Sequence, residues 1–155
     1  DTVKIFLRNN MFPFDAIDSV KTYLSNSGNA IVNFDNASNG SYFIQVIHRN
    51  AMETWSSSAN AFSKGTVLNY DFTTTQSQAF GNNQVLNLSR WCAFSGDVNN
   101  DGTIDASDLS TIENDVSVSN SGYIKTDLNG DDFADGSDVS VAENNVTGSV
   151  NVIRP

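Results

Sequence analysis

Short apolar runs separated by clusters of Asn, Ser and Gly make up the first 95 residues of the chain. Each run has the length and the branched or aromatic composition of a β-strand, and none has the period of about 3.6 residues that marks an amphipathic helix. Because so many short strands fit within one small module, we predict an antiparallel β-sandwich rather than a parallel α/β sheet. The predicted strands are residues 3–7, 30–34, 42–47, 67–72 and 85–88.

Apolar residues follow a helical period in two stretches of the last third of the chain. Each stretch comes directly after an acidic segment, and residues 91–95, which precede the first acidic segment, carry no helix signal. We therefore predict two short amphipathic helices, each entered from an acidic loop, and an α+β chain of two modules overall. The apolar positions of the two helices are Leu109, Ile112 and Val116, and Val139, Ala142 and Val146.

The two acidic loops carry the same side chains at the same offsets. The first begins at Asp97 and the second begins thirty residues later at Asp127. In a twelve-residue loop of the EF-hand type, side-chain oxygens at positions 1, 3, 5, 9 and 12 and the backbone carbonyl of position 7 surround Ca²⁺. We therefore predict two Ca²⁺ sites rather than two solvated, disordered segments. The predicted metal ligands are Asp97, Asn99, Asp101, Thr103, Asp105 and Asp108, and Asp127, Asn129, Asp131, Phe133, Asp135 and Asp138.

Two other loop positions distinguish the first loop from the second. Position 6 needs a left-handed backbone, which Gly102 adopts at no steric cost and Asp132 adopts less readily. Position 8 is Ile104 in the first loop and Ala134 in the second, and we expect this position to pair the two loops through a short backbone ladder. We predict that both loops bind calcium and that the second binds less tightly.

The charges divide the chain at the same place as the hydrophobic pattern. Residues 1–95 carry six acidic and six basic side chains, whereas residues 96–155 carry twelve acidic and two basic ones, so the net charge of −10 lies in the second part. Two Ca²⁺ ions would offset four of these charges and would link metal binding to folding. A surface this acidic also disfavours nucleic acid or an anionic membrane as a partner.

The duplicated segment resembles the type I dockerin, a calcium-dependent module of bacterial secreted proteins that docks onto cohesins in cellulosomes. The resemblance rests on residues 96–109, which read GDVNNDGTIDASDL, and on their recurrence after thirty residues, and it covers residues 96–147. It implies an all-α module built from two calcium loop-helix motifs, with the ligands named above as its calcium ligands.

In cohesin-binding dockerins, loop positions 10 and 11 and a basic pair early in the helix help to contact the partner. The basic pair is absent from both helices of this chain, which disfavours ordinary cohesin docking and leaves the calcium fold unaffected. The corresponding residues are Ala106, Ser107, Glu113 and Asn114 in the first repeat, and Gly136, Ser137, Glu143 and Asn144 in the second.

Residues 27–46 are similar to the central hairpin of transthyretin-like or carboxypeptidase-regulatory-like domains. This similarity implies that residues 30–34 and 42–47 pair with each other, and fibronectin-like and immunoglobulin-like sandwiches are close alternatives. The residues that carry it are Ser27, Gly28, Ala30 and Phe34, followed by Asn39, Gly40, Tyr42 and Val46.

The junction between the two modules has no linker composition. The apolar run that contains Trp91 and Phe94 reaches the first predicted calcium ligand without a Pro, Thr or Ser-rich tether. We therefore predict a sandwich module at 1–95 and a dockerin-like module at 96–155 that are rigidly joined, with Trp91, Phe94 or both packed between them.

The residues that could support catalysis are few. Cys92 is the only cysteine and His48 the only histidine, and we expect both to be packed residues rather than members of a catalytic pair. Trp55 is expected to pack in the core or between the modules, and the alternative is that it is exposed and stacks on a sugar ring. We therefore predict that the chain is not an enzyme.

Taken together, these features predict a non-catalytic, calcium-binding structural and protein-interaction module. The alternatives are a cohesin-binding dockerin of a polysaccharide-degrading complex and a carbohydrate-binding sandwich. The chain begins at Asp1 without a methionine, and no run reaches the length of about twenty apolar residues that a membrane span needs. We expect a monomeric fragment of a larger secreted bacterial protein that is located outside the cell or at its surface, with a cohesin-like protein or a polysaccharide as its partner.

Overall fold

The structure is a computed structural model that describes residues 1–155, and its fold is α+β. Antiparallel β-sheets occupy the N-terminal part, and two helices lie near the C-terminus. The residues fall into two compact units by their contacts. The first unit comprises Asp1–His48, Glu53–Cys92 and Ile153–Pro155, and the second comprises Arg49–Met52 and Ala93–Val152.

A five-stranded antiparallel sheet forms the main body of the first unit. β1 pairs with β2 along one edge and with β3 along the other, and the far edge of β3 carries the two short strands β4 and β5. Phe43 is nearly buried, and its ring makes edge contacts with the rings of Phe14, Trp55 and Phe80. The strands are β1 (Thr2–Asn9), β2 (Ala16–Tyr23), β3 (Gly40–His48), β4 (Thr54–Trp55) and β5 (Asn60–Phe62).

A separate hairpin completes the β-structure of the first unit. It consists of β6 (Val85–Asn87) and β7 (Arg90–Cys92), and it follows two short 3₁₀ turns at Gln76–Gln78 and Phe80–Asn82. Gly81 in the second turn has a φ of 63°, and an added Cβ there would lie 2.5 Å from Cγ2 of Ile153. The close approach of Ile153 therefore requires glycine at this position.

Three of the five predicted strands are confirmed and two are wrong. Strands form where residues 3–7, 42–47 and 85–88 were predicted, but residues 30–34 and 67–72 have no regular structure. Ile31 is 88 % exposed and Val67 is 85 % exposed, so each run leaves a large apolar side chain in solvent. The ring of Phe34 contacts the ring of Phe62, but neither run pairs its backbone with a neighbouring strand. Composition alone therefore predicted strands where no partner strand exists.

The hairpin suggested by the similarity to transthyretin-like domains is also wrong. β3 pairs with β1, β4 and β5 and not with residues 30–34. The sequence pattern missed β2, a strand of mainly exposed and half-buried residues that pairs with β1 through its backbone. The transthyretin-like or immunoglobulin-like arrangement of a sandwich stays a prediction.

Two helices of equal length form the core of the second unit, as predicted. They are α1 (Ala106–Ser117) and α2 (Gly136–Thr147), with twelve residues each. Val98, Ile112 and Ala142 are buried together at the centre, and every predicted apolar helix position except Val146 belongs to this core or packs against it. Neither helix has the length and apolar character that crossing a bilayer requires. The half-buried side chains packed around this centre are Leu109, Val116, Leu128 and Val139.

Candidate metal centre

The first and last side chains of the first acidic loop, residues 97–108, hold its backbone in a closed turn. Asp97 accepts hydrogen bonds from the backbone N–H groups of Asp101 at 3.1 Å and Gly102 at 3.2 Å. Asp108 accepts from the N–H groups of Val98 at 2.9 Å, of Asn99 at 3.2 Å and of Asp105 at 3.1 Å. Five backbone donors therefore point at two carboxylates, and both carboxylates are buried.

The middle of the first loop is tied together by side chains at the other predicted ligand positions. The amide oxygen of Asn99 accepts from the N–H of Asp101 at 2.8 Å, and its amide nitrogen donates to Oδ2 of Asp101 at 2.8 Å. Oδ1 of Asp101 accepts from the N–H of Thr103 at 2.9 Å. Asp105 caps helix α1 by accepting from the N–H of Ser107 at 2.8 Å. The structure thus brings the predicted ligands of this loop into one hydrogen-bonded group.

The electrostatic environment of the first loop favours a cation. Burial, together with the neighbouring negative charges of Asp108 and Asp101, raises the pKa of Asp97 to about 6. Hydrogen bonds from Ser107 lower the pKa of Asp105, which is exposed. A buried carboxylate surrounded by like charges is costly to ionise, and a nearby positive charge would remove that cost.

The second loop, residues 127–138, repeats the outer hydrogen bonds of the first. Asp127 takes the role of Asp97, and Asp138 takes the role of Asp108. Both side chains are again buried, with exposures of 2 % and 0 %. The backbone N–H groups that these two carboxylates hold belong to Leu128, Asn129, Gly130, Asp131, Asp132 and Asp135.

The inner contacts of the second loop also match those of the first. Asn129 bonds Asp131 through both its amide oxygen and its amide nitrogen, at 2.8 and 2.9 Å. Asp131 accepts from the N–H of Phe133 at 3.0 Å, and Asp135 accepts from the N–H of Ser137 at 2.8 Å to cap helix α2. The duplication in the sequence is therefore a duplication of hydrogen bonds, with the same thirty-residue offset.

Position 6 has a left-handed backbone in both loops, as predicted. The φ angle is 91° at Gly102 and 71° at Asp132. Glycine tolerates this conformation freely, whereas an aspartate there carries a steric cost. At position 4 the arrangement is reversed, because the left-handed residue is Asn100 in the first loop, with a φ of 58°, and Gly130 in the second, with a φ of 85°. Each loop therefore contains one left-handed residue that is not glycine.

The expectation that position 8 pairs the two loops with each other is wrong. The N–H of Ile104 donates to the carbonyl of Val150 at 3.0 Å, and the N–H of Ala134 donates to the carbonyl of Asn120 at 3.0 Å. Each loop thus pairs with the segment that follows a helix, the first loop with the segment after α2 and the second with the segment after α1. The structural repeat therefore extends to residue 152, beyond the end of α2.

A four-residue segment far away in the sequence breaks the symmetry between the loops. Asn50 donates from its amide to the backbone carbonyl of Asp127 at 2.7 Å, and its own carbonyl accepts from the N–H of Gly96 at 2.8 Å. Nη2 of Arg49 lies 3.9 Å from Oδ2 of Asp127, and its guanidinium carbon lies 4.5 Å from the ring centroid of Tyr123. Sequence reasoning missed this segment, because nothing around residues 49–52 resembles a metal motif.

The donor atoms of both loops suit a hard divalent cation. Each loop offers carboxylate, amide and backbone carbonyl oxygens, which Ca²⁺ prefers, and no sulfur or imidazole ligand. No group of three or more Asp, Glu, His or Cys side chains converges in a geometry that holds a metal ion. Each predicted set contains four carboxylates, so the acidic side chains of neither loop converge on one point, and the fit to calcium depends on the type of the donor atoms. The residues therefore fit calcium by their chemistry and their buried charge.

The remaining candidate residues lie in the first unit, away from any such loop. Nε2 of His48 lies 2.7 Å from a carboxylate oxygen of Asp1. Cys92 is half-buried and carries a free thiol. Trp55 is 4 % exposed, so the alternative in which it presents a free face for a sugar ring is wrong.

A pair of acidic loop-helix units with this hydrogen bonding defines a module of the EF-hand-like class. Within that class, residues 95–147 match the family model for the dockerin type I domain, which confirms the resemblance drawn from residues 96–147. Dockerin domains are non-catalytic, calcium-binding modules of protein interaction. The match covers about a third of the chain. No curated protein and no solved structure matches the chain.

Proposed function

We propose that the second unit binds two Ca²⁺ ions, one in each acidic loop, as the structural and interaction module of a larger secreted bacterial protein. The observation that carries the proposal is the repeated hydrogen-bond pattern, in which buried Asp97 and Asp127 occupy equivalent places. The dockerin match at residues 95–147 supports the same conclusion. Loops of this kind suit the millimolar calcium found outside cells, which supports an extracellular or cell-surface location.

The residues that would hold each ion are the predicted ligands of each loop. Bound Ca²⁺ would supply positive charge to carboxylates that otherwise repel one another. The protein's own contribution is to fix the loop, because backbone N–H groups already orient both terminal carboxylates of each loop. The ligands are Asp97, Asn99, Asp101, Asp105, Asp108 and the carbonyl of Thr103, and Asp127, Asn129, Asp131, Asp135, Asp138 and the carbonyl of Phe133.

We propose that the second site is the weaker of the two. Arg49 already places a positive charge beside Asp127, and that charge would oppose an incoming cation. The left-handed backbone of Asp132 adds a steric cost that Gly102 avoids. The charge of Arg49 acts on the second loop only, whereas the strain at Asp132 is offset in part by left-handed Asn100 in the first loop.

A thermal melt of the full chain tests calcium binding directly. If only the folded state binds, each site adds about 2.7 kcal/mol of stability at a calcium concentration of one hundred times its Kd. We expect the melting temperature to rise with CaCl₂ and to fall again with chelator, while a matched MgCl₂ titration has a smaller effect. Identical melts with calcium and with chelator would contradict the proposal.

A cohesin-like protein is the partner class that the dockerin match supports. The positions that correspond to dockerin contact residues are exposed in both repeats, although none of them is basic. Calorimetry against a panel of cohesins, with calcium and with chelator, tests this partner. Binding that requires calcium supports it, and a panel without any binding would show that the partner lies outside the cohesins. The positions concerned are Ala106, Ser107, Glu113, Asn114, Gly136, Ser137, Glu143 and Asn144.

We also propose that the modules at 1–95 and 96–155 are rigidly joined and that no part of the chain is catalytic. The absence of linker composition in residues 91–96 supports the first statement. The single His48 and the single Cys92 offer no convergent acid, base and nucleophile, which supports the second. Limited proteolysis near Ser95 tests the rigid joint, because cleavage should be slow with calcium and fast with chelator.

A further inference from the structure

A small cleft in the first unit combines positive charge with aromatic walls. Its volume is about 220 Å³. None of the calcium loops contributes to it, so it is independent of the function proposed above. The residues that line it are Arg8, Pro13, Phe14, Gln45, Glu53, Trp55 and Arg154.

A chain of hydrogen bonds fixes the polar floor of this arginine cleft. Oε1 of Glu53 accepts from Nε1 of Trp55 at 2.8 Å and from Nε of Arg154 at 2.5 Å. Oε2 of Glu53 accepts from the amide of Gln45 at 2.7 Å, and the amide oxygen of Gln45 accepts from Nε of Arg8 at 2.8 Å. Gln45 is only 2 % exposed, so its amide is held in one orientation between Glu53 and Arg8.

The terminal nitrogens of the two arginines do not take part in this hydrogen-bond network. Arg8 and Arg154 each use only Nε in a hydrogen bond within the protein, and the terminal nitrogens of neither guanidinium are sealed from solvent. The carboxylate of Glu53 balances one of the two positive charges, so one positive charge remains. The terminal nitrogens of a guanidinium form a planar fork that matches a carboxylate.

Aromatic rings in contact with one another form the apolar side of the arginine cleft. The ring of Phe14 makes edge contacts with Phe12 and Phe43, and Trp55 is buried against Phe43. Phe14 has a φ of 59°, a left-handed backbone that is unusual for an aromatic residue, and such strain is concentrated at ligand sites. The guanidinium carbon of Arg8 lies 5.5 Å from the centroid of the Trp55 ring, which holds the charge beside the aromatic wall.

We propose that the arginine cleft binds a small monocarboxylate whose body is about the size of a six-membered ring. The carboxylate would pair with the free donors of Arg8 and Arg154, and the ring would lie against Phe14 and Pro13. Trp55 is 4 % exposed, so only a small part of its indole reaches the wall of the cleft. The volume lies below the range of about 300–1,000 Å³ typical of drug-sized sites, so a ligand of roughly ten non-hydrogen atoms fits it best.

Indole N–H signals in an NMR titration test this proposal, because the chain has two tryptophans and only Trp55 lines the cleft. The full chain in saturating CaCl₂ is titrated with benzoate and with D-glucuronate, and separately with their neutral counterparts benzyl alcohol and D-glucose. We expect at least one acid to shift the Trp55 signal saturably while the Trp91 signal stays fixed. The neutral counterpart should bind at least tenfold more weakly, and the acid that binds identifies an aromatic or a sugar body.

Charge-removing variants locate the carboxylate. Arg154→Gln should weaken binding at least tenfold, because it removes the guanidinium that would pair with the carboxylate. The Arg154 side chain is exposed, so the substitution leaves the core intact. Arg8→Lys keeps the charge, loses the fork and should also weaken binding, whereas Lys21→Gln on strand β2 serves as the matched control and should not. The proposal is overturned if neither acid binds, if acids and neutral counterparts bind alike, or if Arg154→Gln binds as well as the unchanged chain.

Discussion

The two acidic loops share almost every internal hydrogen bond and differ in what surrounds them. In both, the first and last carboxylates are buried and hold five equivalent backbone N–H groups, and Asp127 also holds the N–H of Gly130. Only the second loop has an aspartate at its left-handed position, Asp132, and a basic neighbour, Arg49. The comparison teaches that a repeated sequence repeats its local geometry, whereas segments outside the repeat determine how the two copies differ.

The largest effect should come from removing the last carboxylate of either loop. Asp108→Ala and Asp138→Ala each leave three buried or part-buried N–H groups without their acceptor, at a cost of about 1 kcal/mol or more for each unsatisfied group. We expect each variant to lose about 3 kcal/mol or more of unfolding free energy in chelator, measured by denaturant titration. The two losses should be similar. A large loss in one loop alone would break the structural equivalence of the loops.

Exchanging the residue at position 6 should have opposite effects in the two loops. Gly102→Asp forces a left-handed aspartate into the first loop and should cost about 1–2 kcal/mol, whereas Asp132→Gly relieves the same strain and should add up to about 1 kcal/mol. Unfolding in chelator measures both variants without a contribution from calcium. If Asp132→Gly were destabilising, strain at position 6 would not explain the difference between the loops.

Removing the charge of Arg49 should strengthen calcium binding in the second loop only. Arg49→Met keeps an apolar stem and removes the charge beside Asp127, and we expect an increase in affinity of about fivefold, or about 1 kcal/mol. Calorimetry should show this change for the weaker of two sites, while the tighter site is unchanged. Arg49→Lys retains the charge and is the control. An equal change at both sites would refute a local effect of Arg49.

The smallest effect should come from the serines that follow the helix caps. Ser107→Ala and Ser137→Ala each remove a hydroxyl that donates to the capping carboxylate, at 2.7 and 2.6 Å, in an exposed position. The capping carboxylate keeps its bond from the backbone, so we expect a loss of about 0.5 kcal/mol in each variant. Circular dichroism melts of the pair should agree with each other, because neither Arg49 nor position 6 acts on the caps.

The sequence was sufficient to predict the two acidic loops and the helices that follow them, because the contacts within each loop are local. Each carboxylate of the loops bonds an N–H group within about ten residues, so spacing alone determines which atoms meet. Side-chain type at position 6 likewise predicted the left-handed backbone of Gly102 and Asp132. The dockerin resemblance followed from the same local pattern, and the family match confirmed it.

The sequence was insufficient to predict contacts between residues that lie far apart along the chain. Strand composition predicted residues 30–34, which lack a partner strand, and missed β2, whose pairing with β1 depends on the backbone. The hydrogen bond between Asn50 and Asp127 joins residues 77 positions apart, and the one between Arg154 and Glu53 joins residues 101 positions apart. No local pattern in the sequence predicts either contact. Contacts of this kind require the folded chain to be known.

Calcium stoichiometry tests the central claim most directly. The chelator-treated full chain is titrated with CaCl₂ by calorimetry, beside the matched variants Asp97→Ala and Asp127→Ala, each of which removes the first ligand of one loop. We predict two ions with unequal affinities for the unchanged chain and one ion for each variant, with the tighter site lost in Asp97→Ala. Fewer than two ions in the unchanged chain, or two ions in either variant, would contradict the account.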